Sequence, residues 1–391
     1  MKIAYLGKIQ LSDVDLSYLH EAQKKADITF ILEVNPRFMK GPAFSFQHLY
    51  PHSGVFRATE ASPEFESLRG LVDLNKCFVV NTCGPFWQLK AFWTNLLLVL
   101  FLLRNRFDVL HLVWPLNIYE FVLYVLRRKM MLTLHDPFPH TGNDTFIVRL
   151  RRKFAFWFIP KLIILNETQR QDFLRTYHLS ADRVVDSRLG SYVYLQNVKP
   201  DFSQVSGLEN GYVLFFGKIS PYKGVDYLLK AMKKVHECCP DCRLVVAGGG
   251  RYPFDVSPYQ SLDFVDIRNR FIPNEELVAL IQCAAFVVCP YTDATQSGVI
   301  MSAFAFNKPV IATNVGGLPE MVRHGEEGLI VKAKDIDALA DAIALMWTDH
   351  SLLDTYSRNI EVNYSEGNLS WRKIAEELNV QYQNVSGGHK S

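Results

Sequence analysis

One stretch of the sequence, residues 287–313, constrains the fold more than any other. It runs from an apolar segment across a polar turn, enters a second apolar segment at Gln296-Ser297-Gly298, and resumes as a third after Asn307-Lys308-Pro309. This pattern predicts a strand, a turn, a helix and a strand in succession. Such a turn presents backbone amides at a helix N-terminus, where an anionic oxygen such as a phosphate is favoured. An ordinary turn, with Ser297 merely capping the helix, is the alternative interpretation.

Length and composition indicate a globular protein of two domains. The chain has 391 residues, more than a single hydrophobic core usually supports, and 49% of them are hydrophobic while 21% are charged. The net charge of +2 argues against a nucleic acid as the partner. We therefore expect a core-rich chain that divides near the middle.

Cysteine usage indicates a reducing compartment. The seven cysteines are an odd number, and Met1–Gly7 is predicted to be a first strand and not a signal peptide, so we expect a cytoplasmic protein. Cys239 and Cys242 have the spacing of half a zinc site with His236 close by. A helix end followed by a turn is the preferred interpretation, and we predict no metal site.

The first half alternates between predicted strands and helices. The predicted strands include Ile3–Leu6, Ile28–Glu33, Phe107–Val113, Met130–Leu134 and Leu162–Leu165, a helix is predicted over Asp15–Ala26, and an irregular insertion over residues 36–66. His135 is the first polar side chain of the turn 135–142, directly after one of these strands. Polar groups at the carboxyl end of a parallel strand lie in the crevice where such sheets bind ligands. The alternative is a hydrogen-bonded histidine without a role in a reaction.

Three apolar and basic segments of the first half are predicted to be helices: Phe92–Leu103, Tyr119–Arg128 and Phe146–Ile159. The first is too short to cross a bilayer. The third combines aromatic rings with Arg149, Arg151, Arg152 and Lys153. Such a helix can lie at an anionic membrane surface, so we predict peripheral association there. The alternative is an ordinary helix with one solvated face and one core face.

The pattern restarts after a polar linker predicted over Gln196–Gly211. A strand over Tyr212–Phe216 is followed by Lys218, and Lys223 lies in the first turn of the next helix. Both ammonium groups are placed to point into one crevice, toward the turn at Ser297, and two lysines facing a helix N-terminus suit a diphosphate. The alternative is that both are solvated surface charges.

These motifs together resemble the retaining glycosyltransferases of family 4. The residues that carry the resemblance are Phe216–Gly224, Asn269–Pro273, the stretch 287–313, Gly316–Glu320, Leu134–Pro137 and Asn166–Gln169. The order and spacing of the motifs cover most of the chain and are most specific in its second half. Ser302 stands where this family often has a second glutamate, and Lys218 stands where it usually has an arginine.

The resemblance implies an α/β protein of the GT-B fold, in which two Rossmann-like domains face an interdomain cleft. The implied domains are residues 1–200 for the acceptor, residues 201–365 for the nucleotide-sugar donor, and a C-terminal segment 366–391 whose helix returns to the first domain. The implied catalytic residues are His135, Lys218, Lys223 and Asp293. The implied donor-binding residues are Gly217, Arg270, Phe271, Ile272, Gln296, Ser297, Gly298 and Ser302.

The resemblance also implies an activity. The two lysines would neutralise the donor diphosphate, the amides at Ser297 and Gly298 would bind it, Arg270–Ile272 would lie against the base, and His135 would face the transferred sugar. The reaction would be a retaining, metal-independent hexosyl transfer without a cofactor, from a nucleotide-diphosphate sugar to a saccharide, in cell-surface polysaccharide biosynthesis. A lipid-linked acceptor at the cytoplasmic face of the membrane is expected. A sugar-nucleotide epimerase and a non-catalytic nucleotide-sugar-binding protein are the alternatives.

Overall fold

The chain forms two α/β units, each built on its own sheet. The computed structural model describes residues 1–35, 39–82, 89–138, 145–208 and 211–387. The first unit is Met1–Leu189 together with the C-terminal segment from Trp371, and the second is Gly190–Ser370. Within the described ranges, no helix is both long and apolar enough to cross a membrane.

The sheet of the first unit is almost entirely parallel. Its strands are β1 (Lys2–Lys8), β2 (Asp27–Val34), β3 (Gly54–Arg57), β4 (Cys77–Asn81), β5 (Val109–Leu112), β6 (Met130–Leu134), β7 (Lys161–Ile164) and β8 (Val184–Asp186). Their order is β3-β4-β2-β1-β5-β6-β7-β8, and only the β3–β4 pair is antiparallel. Continuous apolar runs such as Met130–Leu134 form central strands because both faces of a parallel sheet are covered.

Up to Leu189, the first unit contains the α-helices α1 (Ser12–Lys25), α2 (Ala58–Ala61), α3 (Leu89–Arg104), α4 (Phe146–Phe158) and α5 (Arg170–Tyr177), and a nine-residue 3-10 helix at Phe121–Lys129. The segment predicted as a helix over Tyr119–Arg128 is thus a 3-10 helix, and the predicted irregular insertion contains β3 and α2. One face of the sheet packs against α3, the 3-10 helix, α4 and α5. Leu98, Phe156 and Phe173 are buried there beside strand residues.

The four cations of α4 do not all point outward. Arg152 is buried and donates to the carbonyl oxygens of Asp136 and Pro137 at 2.8 and 2.9 Å. Arg151 donates to the carbonyl oxygens of Leu116 and Pro115 at 3.2 and 2.9 Å. These guanidinium groups satisfy loop carbonyls that would otherwise lack donors. The expectation that all four cations meet lipid is therefore wrong for this pair, and Arg149 and Lys153 remain exposed.

The second unit is a fully parallel six-stranded sheet in the order β11-β10-β9-β12-β13-β14. Its strands are β9 (Val213–Phe216), β10 (Leu244–Ala247), β11 (Val265–Arg268), β12 (Phe286–Cys289), β13 (Val310–Thr313) and β14 (Gly328–Val331). Its helices are α6 (Val225–Cys238), α7 (Ser257–Gln260), α8 (Asn274–Cys283), α9 (Gly298–Phe304), α10 (Leu318–Met321), α11 (Ile336–Thr348) and α12 (His350–Glu361). The strand, helix and strand predicted in residues 287–313 are β12, α9 and β13.

The boundary between the units lies earlier than the sequence pattern indicates. The first unit ends at Leu189 and not at residue 200, and the second ends at Ser370 and not at residue 365. The predicted linker, of which residues 209 and 210 lie outside the described ranges, packs on the second unit. Gln196 donates to the carbonyl oxygen of Ala305 at 2.6 Å, and the amide of Asp201 donates to that of Glu275 at 3.0 Å. Polar composition alone did not reveal these contacts.

The last helix, α13 (Trp371–Gly387), belongs to the first unit and packs on α1. The Tyr382 hydroxyl lies 2.8 Å from the Tyr18 hydroxyl and 2.7 Å from Nδ1 of His111. Nε2 of His111 lies 2.7 Å from the Thr133 hydroxyl. Burial, and then the neighbouring His135, lower the pKa of His111 to about 3, so its ring is neutral. The helix is thus joined to the sheet by a buried polar network.

Replacing Tyr382 by Phe tests this network. The change removes one hydroxyl and deprives His111 Nδ1 and the Tyr18 hydroxyl of their shared partner in a buried site. We expect the free energy of unfolding to fall by about 1–3 kcal/mol, measured by urea unfolding. Val380→Ala, on the exposed side of the same helix, should change it by less than about 0.5 kcal/mol. Equal stability of the two variants would contradict the proposed role of the hydroxyl.

Candidate functional site

The candidate site lies in the second unit, where the carboxyl ends of its parallel strands meet at one edge. Gly224, between β9 and α6, has φ of 66°, and a Cβ there would lie 1.9 Å from the carbonyl oxygen of Pro290, after β12. The amide of Thr292 donates to the carbonyl oxygen of Tyr222 at 2.7 Å. The loops after β9 and β12 are therefore in direct backbone contact, which only glycine permits at position 224.

The loop after β10 joins the same edge. A Cβ at Gly248 would lie 1.9 Å from the carbonyl oxygen of Gly217, so the glycine allows β9 and β10 to end side by side. The amide of Gly250 donates to Oδ1 of Asn269, after β11, at 3.0 Å. The consecutive glycines at positions 248–250 thus bring Gly217 and the segment that begins at Asn269 to one edge of the sheet.

Lys223 is the central cation of this edge. Its ammonium lies 3.7 Å from the ring centroid of Tyr291 and 5.3 Å from that of Tyr222. Burial lowers its pKa to about 8. Among the residues that the structure describes, no carboxylate forms an ion pair with Lys223, although partly buried cations usually have one. The hydroxyl oxygen of Ser220, in the same turn, is buried without a hydrogen-bond partner among the described residues.

Two other predicted catalytic residues of this unit are exposed. Lys218 follows Gly217 directly, and Asp293 lies in the loop after Tyr291. A Cβ at Gly217 would lie 3.3 Å from the Val299 side chain, which places the end of β9 beside the first turn of α9. Gly217 therefore lies near the start of that helix, and Lys218 is the next residue in the chain.

The start of α9 is closely surrounded. The helix has seven residues, and Ser297 occupies its N-cap position without a capping bond from its side chain. The Ser297 amide donates to the sulfur of Met321 at 3.3 Å, and the Ser297 hydroxyl lies 3.3 Å from that of Tyr291. A Cβ at Gly298 would lie 3.2 Å from the Tyr192 hydroxyl. The half-buried Gln296 precedes these residues.

Ser302 does not present its hydroxyl as the sequence led us to expect. It is buried inside α9, and its hydroxyl donates to the carbonyl oxygen of Gly298 at 2.8 Å. A serine in a helix commonly forms this bond to the residue four positions earlier. The hydroxyl of Ser302, which was predicted to be a donor-binding residue, therefore already donates within the helix.

The predicted base-binding segment is held by a buried carboxylate. Arg270 donates to both oxygens of Glu276 at 2.7 Å, and Arg268 donates to the same carboxylate at 3.0 Å. Burial alone would raise the pKa of Glu276, but the hydrogen bonds from Arg270 and Arg268 lower it. Phe271 is 83% exposed, and Ile272 is half-buried. The guanidinium of Arg270 therefore orders the loop and leaves the Phe271 ring accessible.

His135 belongs to the first unit, at the end of β6. Its Nε2 is buried and has no hydrogen-bond partner among the described residues, and burial lowers its pKa to about 4. The ring is therefore neutral near pH 7. Residues 139–142 of the predicted turn lie outside the described ranges.

A buried charged cluster that the sequence did not reveal lies at the carboxyl edge of the first sheet. Lys8 forms ion pairs with Glu33 and with Glu120, the latter at 2.7 Å. Burial, then repulsion from Glu120, raises the pKa of Glu33 to about 8 despite Lys8. The three residues are distant in the sequence, so no motif predicts them.

The cysteines near His236 do not form a metal site. Cys238 ends α6, and Cys239 and Cys242 are buried in the turn that follows. In the described part of the chain, no group of three or more His, Cys, Asp or Glu side chains is arranged to hold a metal ion. Cys83 lies outside that part.

Sequence reasoning missed three residues of the candidate site: Tyr291, which faces Lys223, Tyr192, which packs on Gly298, and Glu276, which holds Arg270. Each acts through a contact with another residue of the site that the sequence motifs do not specify. Only Tyr291 had a signal in the sequence, since it immediately follows the apolar run of β12 and Pro290.

Comparisons with known proteins relate part of the chain to glycosyltransferases. Residues 210–349 match the family described as glycosyl transferases group 1. A putative glycosyltransferase of Bacillus subtilis, YtcC, is 26% identical over 304 residues, which are 72% of this chain and 74% of that protein. A D-inositol 3-phosphate glycosyltransferase of Corynebacterium glutamicum is 31% identical over 57% of each chain. The match thus spans little more than half of this second relative.

Solved structures extend the likeness to the whole chain. Sucrose-phosphate synthase from Thermosynechococcus elongatus has a TM-score of 0.68 at 19% identity, covering 99% of this chain and 100% of that one. Anabaena HepE, in complex with UDP and glucose, has a TM-score of 0.66 at 17% identity, covering 98% and 100%. At such identities the likeness concerns the fold alone. Residues 210–349 thus match the group 1 glycosyltransferases, and the chain has the GT-B fold of two Rossmann-like domains.

Proposed function

We propose that this protein transfers a hexose from a nucleotide-diphosphate sugar to a saccharide acceptor. The observation that carries this proposal is the Lys223 ammonium, which is partly buried against Tyr291 without a carboxylate partner among the described residues. A desolvated cation gains most from an anion that arrives with the ligand. The donor diphosphate is such an anion.

The neighbouring groups suit the same ligand. Lys218 is exposed one residue after Gly217, and the buried Ser220 hydroxyl lacks a partner among the described residues. The amide of Gly298 lies at the start of α9 beside the Tyr192 hydroxyl. The Ser297 amide already donates to Met321, so we assign the diphosphate mainly to the two lysines. In this proposal the exposed Phe271 ring packs against the base.

UDP-glucose is the first donor to test. HepE, which shares the fold, is described in complex with UDP and glucose. Uridine is therefore our proposed base, and a panel of UDP, GDP, ADP and CMP in a thermal-shift experiment separates it from the others. A ligand at a hundred times its dissociation constant stabilises the native state by about 2.7 kcal/mol, which such an experiment detects readily.

We propose retention at the anomeric carbon. The bond from this carbon to the diphosphate oxygen breaks, and a bond to the acceptor oxygen forms on the same face. The proton of the acceptor hydroxyl passes to an oxygen of the departing diphosphate. Lys223 and Lys218 stabilise the charge that develops on this group, which is the largest contribution a protein makes to such a step. No carboxylate nucleophile is required.

His135 keeps the role that the family resemblance implies, and Asp293, which the resemblance implies to be catalytic, is assigned here. The neutral His135 ring is assigned to a hydroxyl of the transferred sugar, because its buried Nε2 has unused hydrogen-bonding capacity among the described residues. The exposed Asp293 is assigned to the same sugar. We propose that neither a metal ion nor a cofactor takes part, since the two lysines provide the positive charge that a metal ion supplies elsewhere.

We also propose that the acceptor is a lipid-linked saccharide of cell-surface polysaccharide biosynthesis. The protein would work at the cytoplasmic face of the membrane, attached peripherally to anionic lipid. The support is the set of apolar and basic helices in the first unit, namely α3, the 3-10 helix and α4.

A sugar-nucleotide epimerase and a non-catalytic binding protein remain distinguishable by experiment. An epimerase converts the donor without an acceptor, and a binding protein leaves it unchanged. The family match to glycosyltransferases favours neither. Incubation of UDP-glucose with and without native membrane extract, followed by NMR of the sugar, separates the three outcomes.

Truncating Lys223 tests the assignment of the diphosphate. Lys223→Ala should reduce turnover of the donor by about 10²- to 10³-fold, the loss expected for one group that stabilises developing negative charge. The fold should stay intact, because the removed cation has no carboxylate partner among the described residues, and circular dichroism will show this. Lys230 is an exposed lysine of α6, so Lys230→Ala is the matched control. This variant should turn over the donor at the wild-type rate. Near-normal turnover by Lys223→Ala would refute the assignment.

The lowered pKa of Lys223 predicts a pH dependence of donor binding. Only the ammonium form attracts the diphosphate, so affinity should fall as the pH rises through about 8. Between pH 7 and pH 9 the loss should be about tenfold for UDP-glucose, measured by calorimetry. Lys223→Arg should bind with little change over this range, because arginine stays charged. Lys218→Ala should bind more weakly but keep the midpoint near pH 8.

Stereochemistry and metal dependence test the mechanism. For an α-linked donor, NMR of the product should show an α-linkage, because departure and attack occur on one face. Transfer should continue in excess EDTA. A β-linked product would exclude the proposed geometry, and loss of activity in EDTA that added Mg²⁺ restores would contradict the metal-independent mechanism.

A further inference from the structure

The first unit carries an apolar surface that its own core does not use. Trp93, Leu97 and Leu100 of α3, Val125 of the 3-10 helix, and Phe146 and Trp157 of α4 are all exposed. The exposed fraction reaches 76% for Trp157 and 60% for Trp93. Contiguous apolar surface of this kind usually marks an interaction site. We call these three helices and their outward side chains the outer apolar face.

The spacing of the residues on α3 shows that the exposure is built into the helix. Leu98 and Leu102 point into the core. Trp93, Leu97 and Leu100 recur at intervals of four and three residues and form a second stripe on the outside. A helix that is apolar on both faces is normally buried on both. Something outside the described part of the chain is therefore expected to cover the outer stripe.

The same pattern occurs on α4. Phe146, Leu150 and Trp157 are exposed, while Ala155 and Phe156 are buried in the core. The helix also contacts its neighbour, because the rings of Phe154 and Phe121 lie 5.4 Å apart. The 3-10 helix that contains Phe121 packs in turn on α3. The three helices therefore form one continuous surface.

Charge indicates what covers this surface. The three helices contain only basic charged residues and no aspartate or glutamate: Lys90, Arg104, Arg127, Arg128, Lys129, Arg149, Arg151, Arg152 and Lys153. Lys90, Arg104, Arg127 and Lys153 are exposed around the apolar side chains. A second copy of this face would bring like charges together, which is unfavourable. An anionic lipid surface complements both the cations and the apolar stripe.

We propose that the outer apolar face inserts into an anionic phospholipid surface, and that its apolar side chains rather than its cations provide most of the attachment. This deepens the membrane attachment proposed above and rests on it. Tryptophan and phenylalanine rings are favoured at the level of the lipid headgroups. Two of the four α4 cations, Arg151 and Arg152, bind loop carbonyls and contribute little to lipid. Attachment should therefore persist when salt screens the charges.

Co-sedimentation with vesicles tests the proposal on the full chain. The wild type should bind vesicles of equal parts phosphatidylglycerol and phosphatidylcholine at about 0.1 M salt. It should remain largely bound at about 1 M, where the Debye length falls to about 3 Å. Trp157 should become quenched by brominated lipid, and Trp157→Phe should lose that part of the signal. Release of all protein at high salt would overturn the insertion.

A matched pair of variants tests whether vesicle binding depends on the outer apolar face or only on the net charge of the protein. Val125 and Val362 are 66% and 65% exposed, and Val362 lies in the second unit. Val125→Glu should weaken vesicle binding by at least about tenfold, while Val362→Glu should bind as the wild type does. Equal binding by the two variants would refute the assignment of the face. Binding of UDP-glucose in solution should be unchanged in both, so failure here is distinguishable from failure of the proposed donor site.

Analytical ultracentrifugation without lipid tests whether a second copy of the chain covers the outer apolar face. A monomeric wild type supports the proposal. A dimer that Val125→Glu converts to a monomer would show that a second copy covers the face, and would overturn the assignment to lipid.

Discussion

Backbone contact between strand-end loops is the constraint on which the candidate site depends. Gly224 has no side chain, so the loop after β9 can approach Pro290 in the loop after β12. This approach brings Lys223 over the ring of Tyr291, at a distance that partly removes its ammonium from water. The lowered pKa of Lys223 follows from that position, and so does the diphosphate binding that we propose for it. The glycine therefore supports the chemistry without taking part in it.

The two faces of the first sheet are covered by helices of different character. On one face α13 is joined to the sheet through hydroxyl and imidazole groups, which have specific partners and hold the helix in one position. On the other face α3, the 3-10 helix and α4 bury one apolar side and expose another. In the first arrangement, the polar groups find their hydrogen-bond partners within the first unit. The second leaves exposed apolar side chains, whose burial against another apolar surface would be favourable.

Much of the fold could be predicted because its signals are local. Apolar runs such as Val310–Thr313 and polar strand ends repeat through the chain, and they predicted the parallel sheets that the structure confirms. The boundary between the two units was harder to predict from the sequence. Residues 196–208 look like a linker because they are polar, but they pack on α8 and α9 through side-chain and backbone hydrogen bonds. The polar composition of a segment indicates that it is exposed to solvent, but it does not indicate which unit the segment packs against.

The sequence by itself determined the alternation of strands and helices, the family motifs, and the positions of Lys218, Lys223 and Gly298 at strand and helix ends. Only the tertiary structure decided how these groups are used. It paired Arg270 with Glu276, directed the Ser302 hydroxyl into its own helix, and turned Arg152 toward loop carbonyls. Periodicity shows which side of an element is apolar, because that depends on neighbours along the chain. The hydrogen-bond partner of a polar side chain depends on the backbone conformation and packing around it, which neither composition nor periodicity specifies.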